Sequence, residues 1–211
     1  MSERPDFLKK ATVYLVDDEP VIRDALSFLF MSRGLKVTAL DSGEALLDAV
    51  PLDPLACVIL DMRMEGLSGL ETFYRLKSTE TEVPVIFLTG HGDVPIAVEA
   101  LKSGATDFIE KPFNDNQLVN TVLKCLELRD SELDVSRDKA AIEKQYRELS
   151  ARELDVLRLL LAGRLNKQIA DELAISMRTV EVHRARILAK MGVRNAIELA
   201  ATLASHGITV G

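Results

Sequence analysis

Three consecutive acids, Asp17, Asp18 and Glu19, end the apolar run in TVYLVDDEP at residues 12–20. Like carboxylates at contact distance repel, and the repulsion raises a pKa unless positive charge lies between them. A divalent cation is the usual remedy. Three more residues belong with them: Asp61 in CVILDMRMEG, Thr89 in IFLTGHGD and Lys111 in DFIEKPF. Asp17, Asp18 and Asp61 with Thr89 and Lys111 make three carboxylates, a hydroxyl and an ammonium, a hard-oxygen set suited to Mg²⁺, which favours one or two carboxylates plus a phosphate. The crowded acids read as an unfinished metal site, completed by a cation and a phosphoryl group. Each residue alone has a plainer reading. A DD pair after a strand caps a helix, Lys111 is a surface charge, and Thr89 is a loop hydroxyl. Their joint spacing carries the inference. His91, in a glycine-flanked loop, reads as a solvated residue rather than an internal phosphodonor.

That spacing needs a scaffold. Apolar runs near Val13–Val16, Val37–Leu40, Cys57–Leu60, Val85–Leu88 and Asp107–Ile109 alternate with helical periodicity such as Ile22, Ala25, Leu26 and Leu29. Strands separated by helices pair in parallel through crossovers, and near-continuous apolar strands imply a sheet covered on both faces. The expected fold is an α/β doubly wound five-stranded parallel sheet, flavodoxin-like, whose ligands bind beyond the carboxyl ends of the strands. Asp17, Asp18, Asp61 and Thr89 all fall at such ends.

From Pro112 to Gly163 no other Gly or Pro interrupts the chain, so a helix starting near Asn114 is expected to run on as an exposed connector. Leu128, Val135, Ile142 and Leu149 recur every seven residues, which leaves a pairing seam open, although Ser131, Asp138 and Gln145 are polar. From Ser150 the periodicity is wholly helical, with Gly163 and Gly192 as stops, giving four short helices in an all-α bundle. The expected division is residues 1–128, a connector at 129–148, and a bundle at 149–211.

Within the bundle, ISMRTVEVHRARILAKM (residues 175–191) starts at a plausible cap, Ser176. At 100° per residue Val180, His183, Ile187 and Met191 share one face, and Arg178, Val182, Ala185, Arg186 and Ala189 lie opposite. Residues 178–194 hold five Lys or Arg against one acid. A helix packed on one side, with small and basic residues on the other, suits the major groove. Periodicity alone leaves a charged solvent face equally open.

Charge divides along the same line. Residues 1–130 hold 13 Lys and Arg against 22 Asp and Glu, and residues 131–211 hold 13 against 11. The halves therefore expect different partners. At 47% hydrophobic and 28% charged residues, the composition is that of an ordinary globular protein. No apolar run nears the roughly 20 residues of a membrane span, and MSERPDFLKK lacks a signal-peptide core; the expectation is a cytoplasmic protein without membrane partners. Cys57 and Cys125 have no ligand-like neighbours and read as buried thiols.

Residues 12–128 closely resemble the receiver domain of two-component response regulators, and TGHGDVPIAVEALKSGATDFIEKPF is similar to the FixJ subfamily in particular. Residues 149–199, from LSARELDVLRLLLAGR onward, resemble the LuxR-type helix-turn-helix of the NarL and FixJ family. The resemblance implies a transcription factor that is not an enzyme beyond its own phosphorylation and dephosphorylation. It implies Asp61 as phosphoacceptor, and Mg²⁺ held by Asp18, Asp61 and the Arg63 main-chain carbonyl, with Asp17 acting largely through water. Thr89 would move to bond a phosphoryl oxygen, Lys111 would pair with the phosphate, and Phe108 would be the aromatic switch. Implied partners are a sensor histidine kinase, double-stranded promoter DNA, RNA polymerase and, on phosphorylation, a second copy of the chain docked through residues 94–109. In the bundle Lys167, Arg178, Arg184 and Arg186 would contact phosphate, while Thr179, Glu181, Val182 and Ala185 would lie toward base edges or the adjoining backbone. His183 would be a packed or capping residue. The chain departs from the family at Glu65, where proline is usual, which bears on phosphoryl lifetime. An aspartyl-phosphate phosphatase would want a second acid where Arg63 stands. An RNA-binding antiterminator and a phosphate-independent receiver are the other rivals.

Overall fold

A computed structural model of the chain describes residues 6–79, 81–90 and 94–208, so His91 lies outside the described residues. Contacts divide the chain into two compact units, Met1–Leu133 and Asp134–Gly211.

The first unit is a five-stranded parallel sheet in the order β2-β1-β3-β4-β5. Its strands are β1 (Thr12–Val16), β2 (Lys36–Leu40), β3 (Ala56–Asp61), β4 (Val85–Thr89) and β5 (Asp107–Glu110). Helices α1 (Pro20–Ser32), α2 (Gly43–Asp48), α3 (Gly69–Lys77), α4 (Val94–Lys102) and α5 (Asp115–Arg147) follow them in turn. Successive strand side chains point to opposite faces, and the core divides accordingly. Val13, Leu15, Cys57, Ile59, Ile86 and Leu88 pack with Leu26 and Phe30 of α1 and Leu118, Val119 and Val122 of α5. Tyr14, Val16, Val58, Leu60 and Phe87 pack with Leu46 of α2, Phe73 and Leu76 of α3, and Ala100 of α4. Each such side chain taken from water contributes about 1.5–3 kcal/mol, which is why the middles of three strands are apolar.

The expectation of a sheet covered on both faces holds for β1, β3 and β4, which are buried along their whole length. It does not hold for β2, where Lys36, Thr38 and Ala39 are exposed. The reason is position: β2 and β5 are the sheet's edges, and an edge strand has a neighbour on one side only. The strand order reverses between the parallel neighbours β1 and β3, so their carboxyl ends flank the crevice where doubly wound sheets bind ligands.

Helix α5 runs 33 residues and carries the chain from the first unit into the second. Asn114 Oδ1 accepts the N–H groups of Asn116 and Gln117 and so satisfies its first turn. Leu128 and Val135 on this helix are exposed, whereas Ile142 and Tyr146 pack against the core of the second unit. The seven-residue repeat is thus split between solvent and bundle.

The second unit also holds α6 (Ala151–Leu161), α7 (Asn166–Leu173), α8 (Met177–Lys190) and α9 (Ala196–Ser205). Val156 and Leu157 of α6, Ile169 of α7, Val180 and Ile187 of α8, and Leu199 and Leu203 of α9 form its centre. Between α7 and α8 the chain turns at Ala174, whose φ of 52° lies in the left-handed region, and Ser176 Oγ then caps α8 by accepting the Thr179 N–H. Helix, sharp turn and helix follow in the predicted order.

Candidate functional site

Parallel β1, β3, β4 and β5 deliver their last residues to one edge of the sheet. Asp17 and Asp18 leave β1, Asp61 ends β3, Thr89 ends β4, and Lys111 follows β5. Lys111 Nζ donates to Asp17 Oδ2 at 3.0 Å and to Asp61 Oδ1 at 2.5 Å, so the cation joins two acids that are 94 and 50 residues away in sequence. Asp17 is fully buried, Asp61 and Thr89 nearly so. The Lys111 N–H donates to the Thr89 carbonyl at 2.7 Å, which fixes the lysine beside the hydroxyl-bearing residue. Phe108 is half-buried and packs against the core on the α3 and α4 side.

One oxygen of each carboxylate is held by a main-chain donor. Asp17 Oδ1 accepts the Glu19 N–H at 2.9 Å, Asp61 Oδ2 accepts the Arg63 N–H at 2.8 Å, and Asp18 Oδ2 accepts the Glu65 N–H at 2.9 Å. Asp18 is thereby turned toward the loop after β3 rather than toward Lys111. The structure brings Asp17, Asp61 and Lys111 into direct contact and ties Asp18 to that loop.

Electrostatics follow from burial. Desolvation pushes the Asp61 carboxyl above its ordinary range; Lys111 and the Arg63 N–H only partly oppose it, and the charge of Asp17 adds to the rise. Burial alone would depress the Lys111 ammonium, but its bonds to Asp61 and Asp17 outweigh that and hold it above the usual lysine value. Three carboxylates against one ammonium leave the pocket short of positive charge.

Among the described residues no three His, Cys, Asp or Glu side chains already converge as a metal cage. The donor set still fits Mg²⁺ in kind and charge: the donors are hard oxygens at a polar strand end, in excess over the one lysine.

Three contributors have no place among the residues read from the sequence. Arg23 Nη1 donates to the Asp17 carbonyl at 2.6 Å and steadies the chain beside the acids. Glu44 Oε1 accepts the Leu67 N–H at 3.2 Å, holding the β3–α3 loop from α2. Gly69 opens α3 so close to β3 that a Cβ there would overlap the Asp61 carbonyl oxygen. Only the last left a signal: SGLE at residues 68–71 has the capping-box pattern, and Ser68 and Glu71 form that box, which dates the start of α3 to Gly69.

On the bundle, Lys167, Arg178, Glu181, Val182, Ala185 and Arg186 are exposed, and Thr179 is half-buried with its hydroxyl against that of Ser176. Arg184 is half-buried and bonds Asn166 Oδ1 of α7, so it braces one helix against the other. His183 is half-buried with its Nδ1 enclosed, in keeping with a packed residue. At the far end of α8, Lys190 Nζ bonds the buried Glu153 carboxylate at 2.7 Å and the Glu148 carbonyl at 3.0 Å. Burial pushes Glu153 up, but Lys190 together with the Ser150 N–H and hydroxyl outweighs this and brings it down to about 2. Cys57 and Cys125 are free and buried; burial, and for Cys57 also the neighbouring Cys125, raises both thiols. No helix among the described residues is long and apolar enough to cross a membrane.

Comparison with known proteins bears on both units. Residues 13–123 match the response regulator receiver domain, and residues 147–203 match the luxR family of bacterial regulatory proteins. The chain is 50% identical over 191 residues to the C4-dicarboxylate transport transcriptional regulatory protein DctR of Rhodobacter capsulatus, covering 90% of this chain and 97% of that one. It is 43% identical over 193 residues to the transcriptional regulatory protein FixJ of Bradyrhizobium diazoefficiens, covering 90% and 93%. Among solved structures, the response regulator StyR superposes with a TM-score of 0.85 at 36% identity, covering 93% of this chain and 99% of that one. Full-length FixJ from B. japonicum gives 0.60 at 40% identity, covering 95% and 99%.

Proposed function

This chain belongs to the two-component response regulators that join a receiver to a LuxR-type DNA-binding domain, of the FixJ and DctR kind, and on that premise we propose that its switch is phosphorylation of Asp61. A response regulator of this class governs transcription through phosphorylation. The observation that carries the proposal for this chain is the lysine bridge: one ammonium bonded to two buried carboxylates at the carboxyl ends of β1 and β3.

The donor is a phosphohistidine of a sensor kinase. An Asp61 oxygen attacks phosphorus, an O–P bond forms, and the P–N bond breaks, the departing imidazole recovering a proton. Phosphoryl transfer asks little covalent chemistry of the protein, so positioning and charge supply the catalysis. Lys111 already lies at Asp61 and is suited to pair with the phosphoryl oxygens once Asp61 carries the acyl phosphate. Thr89 offers its hydroxyl from the adjacent strand, and its movement frees space for Phe108. Asp18, Asp61 and the Arg63 carbonyl would hold Mg²⁺, with Asp17 through water. Bound there, the ion would neutralise charge developing on the phosphoryl oxygens. Its chemistry is confined to this self-phosphorylation and to autodephosphorylation, in which water takes the phosphoryl group from Asp61.

An acyl phosphate at Asp61 carries roughly −1.5 to −2 charges at pH 7, by analogy with other phosphoresidues, in place of the single charge of the carboxylate. The bias falls on α4 and β5, whose surface over residues 94–109 is the proposed receiver–receiver contact. Two bundles then meet half-sites about one helical turn apart. In this scheme the receiver is residues 1–128, the connector 129–148 and the output 149–211. Arg178, Arg186 and Lys167, all exposed, suit phosphate contacts, with Arg184 adding the donors that Asn166 leaves over. Glu181 accepting from a cytosine amino group and Val182 meeting a thymine methyl would supply base discrimination, next to Thr179 and Ala185. RNA polymerase is the further partner on the promoter.

Gel filtration with and without acetyl phosphate and Mg²⁺ tests the scheme. A monomer that becomes a dimer only under phosphorylating conditions is expected, and equal dimerisation in both states contradicts it. Footprinting that protects transcript but not duplex DNA contradicts the output assignment.

A further inference from the structure

Asp17 is bonded through every polar group it has. Its side chain holds the Lys111 ammonium at Oδ2 and the Glu19 N–H at Oδ1. Its own N–H donates to the Leu40 carbonyl at 3.3 Å, and its carbonyl accepts Arg23 Nη1 at 2.6 Å. The last bond is the odd one. Arg23 follows Asp17, Asp18 and Glu19 on the chain and lies half-buried in the first turn of α1, where an ion pair would be the ordinary reading, yet this donor goes to a main-chain carbonyl. It closes a cycle. Asp17 Oδ1 accepts the Glu19 N–H, the Glu19 carbonyl accepts the Arg23 N–H at 3.1 Å, and the Arg23 side chain returns to Asp17. The carboxyl end of β1 and the start of α1 are thereby fastened to each other.

We propose that Arg23 is a positioning residue for the phosphorylation site: by holding the Asp17 carbonyl, it fixes the direction in which Asp18 presents its carboxylate to a divalent cation. The Asp17 carbonyl and the Asp18 N–H belong to one planar peptide unit, so a donor that fixes the oxygen fixes the plane from which Asp18 departs. Only the torsions of Asp18 itself remain. A guanidinium suits the task because its bond is charge-assisted, shorter and stronger than a neutral pair, and its planar fork is rigid where a lysine stem is not. Contacts behind a ligating group orient it, and losing one typically costs about 10–100-fold in metal affinity. Charge alone works the other way. Arg23 adds positive charge beside the acids, and by Coulomb's law deleting a cation there would draw Mg²⁺ in more tightly. The sign of the effect therefore separates orientation from electrostatics.

The inference rests on the magnesium reading of the pocket, and its test separates the two. Full-length wild type, Arg23→Met and Arg23→Lys are titrated with MgCl₂ alone by calorimetry, each affinity referred to the folded fraction. Arg23→Met binds about tenfold more weakly than wild type, and Arg23→Lys, whose ammonium still donates to the carbonyl, stays within about threefold of it. Equal or tighter binding by Arg23→Met overturns the proposal and leaves the magnesium reading standing, whereas no magnesium binding by wild type overturns both. A loss in Arg23→Lys as large as in Arg23→Met assigns the effect to packing of the stem and also overturns it. A second measurement needs neither metal nor substitution. In metal-free wild type, heteronuclear NMR of the arginine side chains should show resolved, slowly exchanging Nη1 protons for Arg23, the mark of a guanidinium held at a buried carbonyl. Averaged signals from a freely rotating Arg23 guanidinium overturn the bond itself.

Discussion

Replacing Lys111 with methionine keeps most of the stem's packing and deletes the ammonium that Asp17 and Asp61 share. At an effective dielectric constant of about 20, unit charges at the observed 3.0 Å attract by about 5.5 kcal/mol and at 2.5 Å by about 6.6 kcal/mol. Desolvation offsets much of that, and breaking a buried pair from one side costs about 3–5 kcal/mol. Lys111 keeps 24% of its side chain in solvent, which screens the pair and places the expected loss near the low end, about 3 kcal/mol. Against a domain stability of roughly 5–15 kcal/mol this is a large fraction. With a urea slope of about 2 kcal/mol per molar, the midpoint falls by about 1.5 M. The assay is urea unfolding read from β1 and β3 by hydrogen-exchange mass spectrometry, so that the helical unit does not contribute. Two features identify the cause. Because Lys111 is held above its ordinary value, its contribution is complete at neutral pH and disappears only as pH rises past that raised value. The deficit of Lys111→Met at pH 7 should therefore be full, and should shrink as pH falls and the orphaned Asp61, already held above the ordinary carboxylate value by burial, takes up a proton. Adding Asp61→Asn to Lys111→Met should recover a large part of the loss. A variant as stable as wild type, or a deficit that neither pH nor Asp61→Asn alters, would refute the bridge as the organising contact of the pocket.

Other perturbations probe the loop, the bundle and the DNA face. Gly69→Ala forces the start of α3 away from the Asp61 carbonyl and should cost about 1–3 kcal/mol while slowing acetyl-phosphate labelling; normal labelling with normal stability would speak against the close approach. Glu153, drawn down to about 2, contributes stability that is present above the ordinary 4.5 and is lost as pH falls from there toward 2. Acid unfolding of the helical unit should begin at higher pH in Lys190→Met, and an unchanged acid limb would dismiss the Glu153–Lys190 pair as its support. Arg178→Ala and Arg186→Ala should each weaken binding to all duplexes alike and lower the salt slope by about one, and a sequence-selective loss would move them to base readout.

The sheet and its acids were legible because apolar strands, five times over, ended on polar residues. Asp61 and Lys111 stand 50 positions apart, and only parallel strands bring such ends together, so pattern and topology sufficed to group them. The pattern failed at β2, whose run VTAL reads like a buried strand although the strand is an edge. Strand order decides that, and no local signal carries it. Asp18 shows a further limit. The hydrogen bond it accepts comes from the Glu65 N–H, a backbone group that has no letter in the sequence. Arg184 is similar: its charge announced a phosphate contact, but its bond to Asn166 depends on how α7 crosses α8. Likewise Leu128 and Ile142 belong to one repeat and meet different fates, since only the second reaches the bundle core.

Labelling with acetyl phosphate and Mg²⁺, with intact mass and duplex affinity measured on the same samples, bears most directly on phosphorylation of Asp61 as the switch. The duplex is one selected from a random library by the labelled protein. Wild type should gain a single phosphoryl group, mapped to the peptide containing Asp61, and bind at least tenfold more tightly, whereas Asp61→Asn should do neither. Labelling of Asp61→Asn to the same extent, or a fully labelled wild type that binds DNA no better than the unlabelled protein, would contradict it.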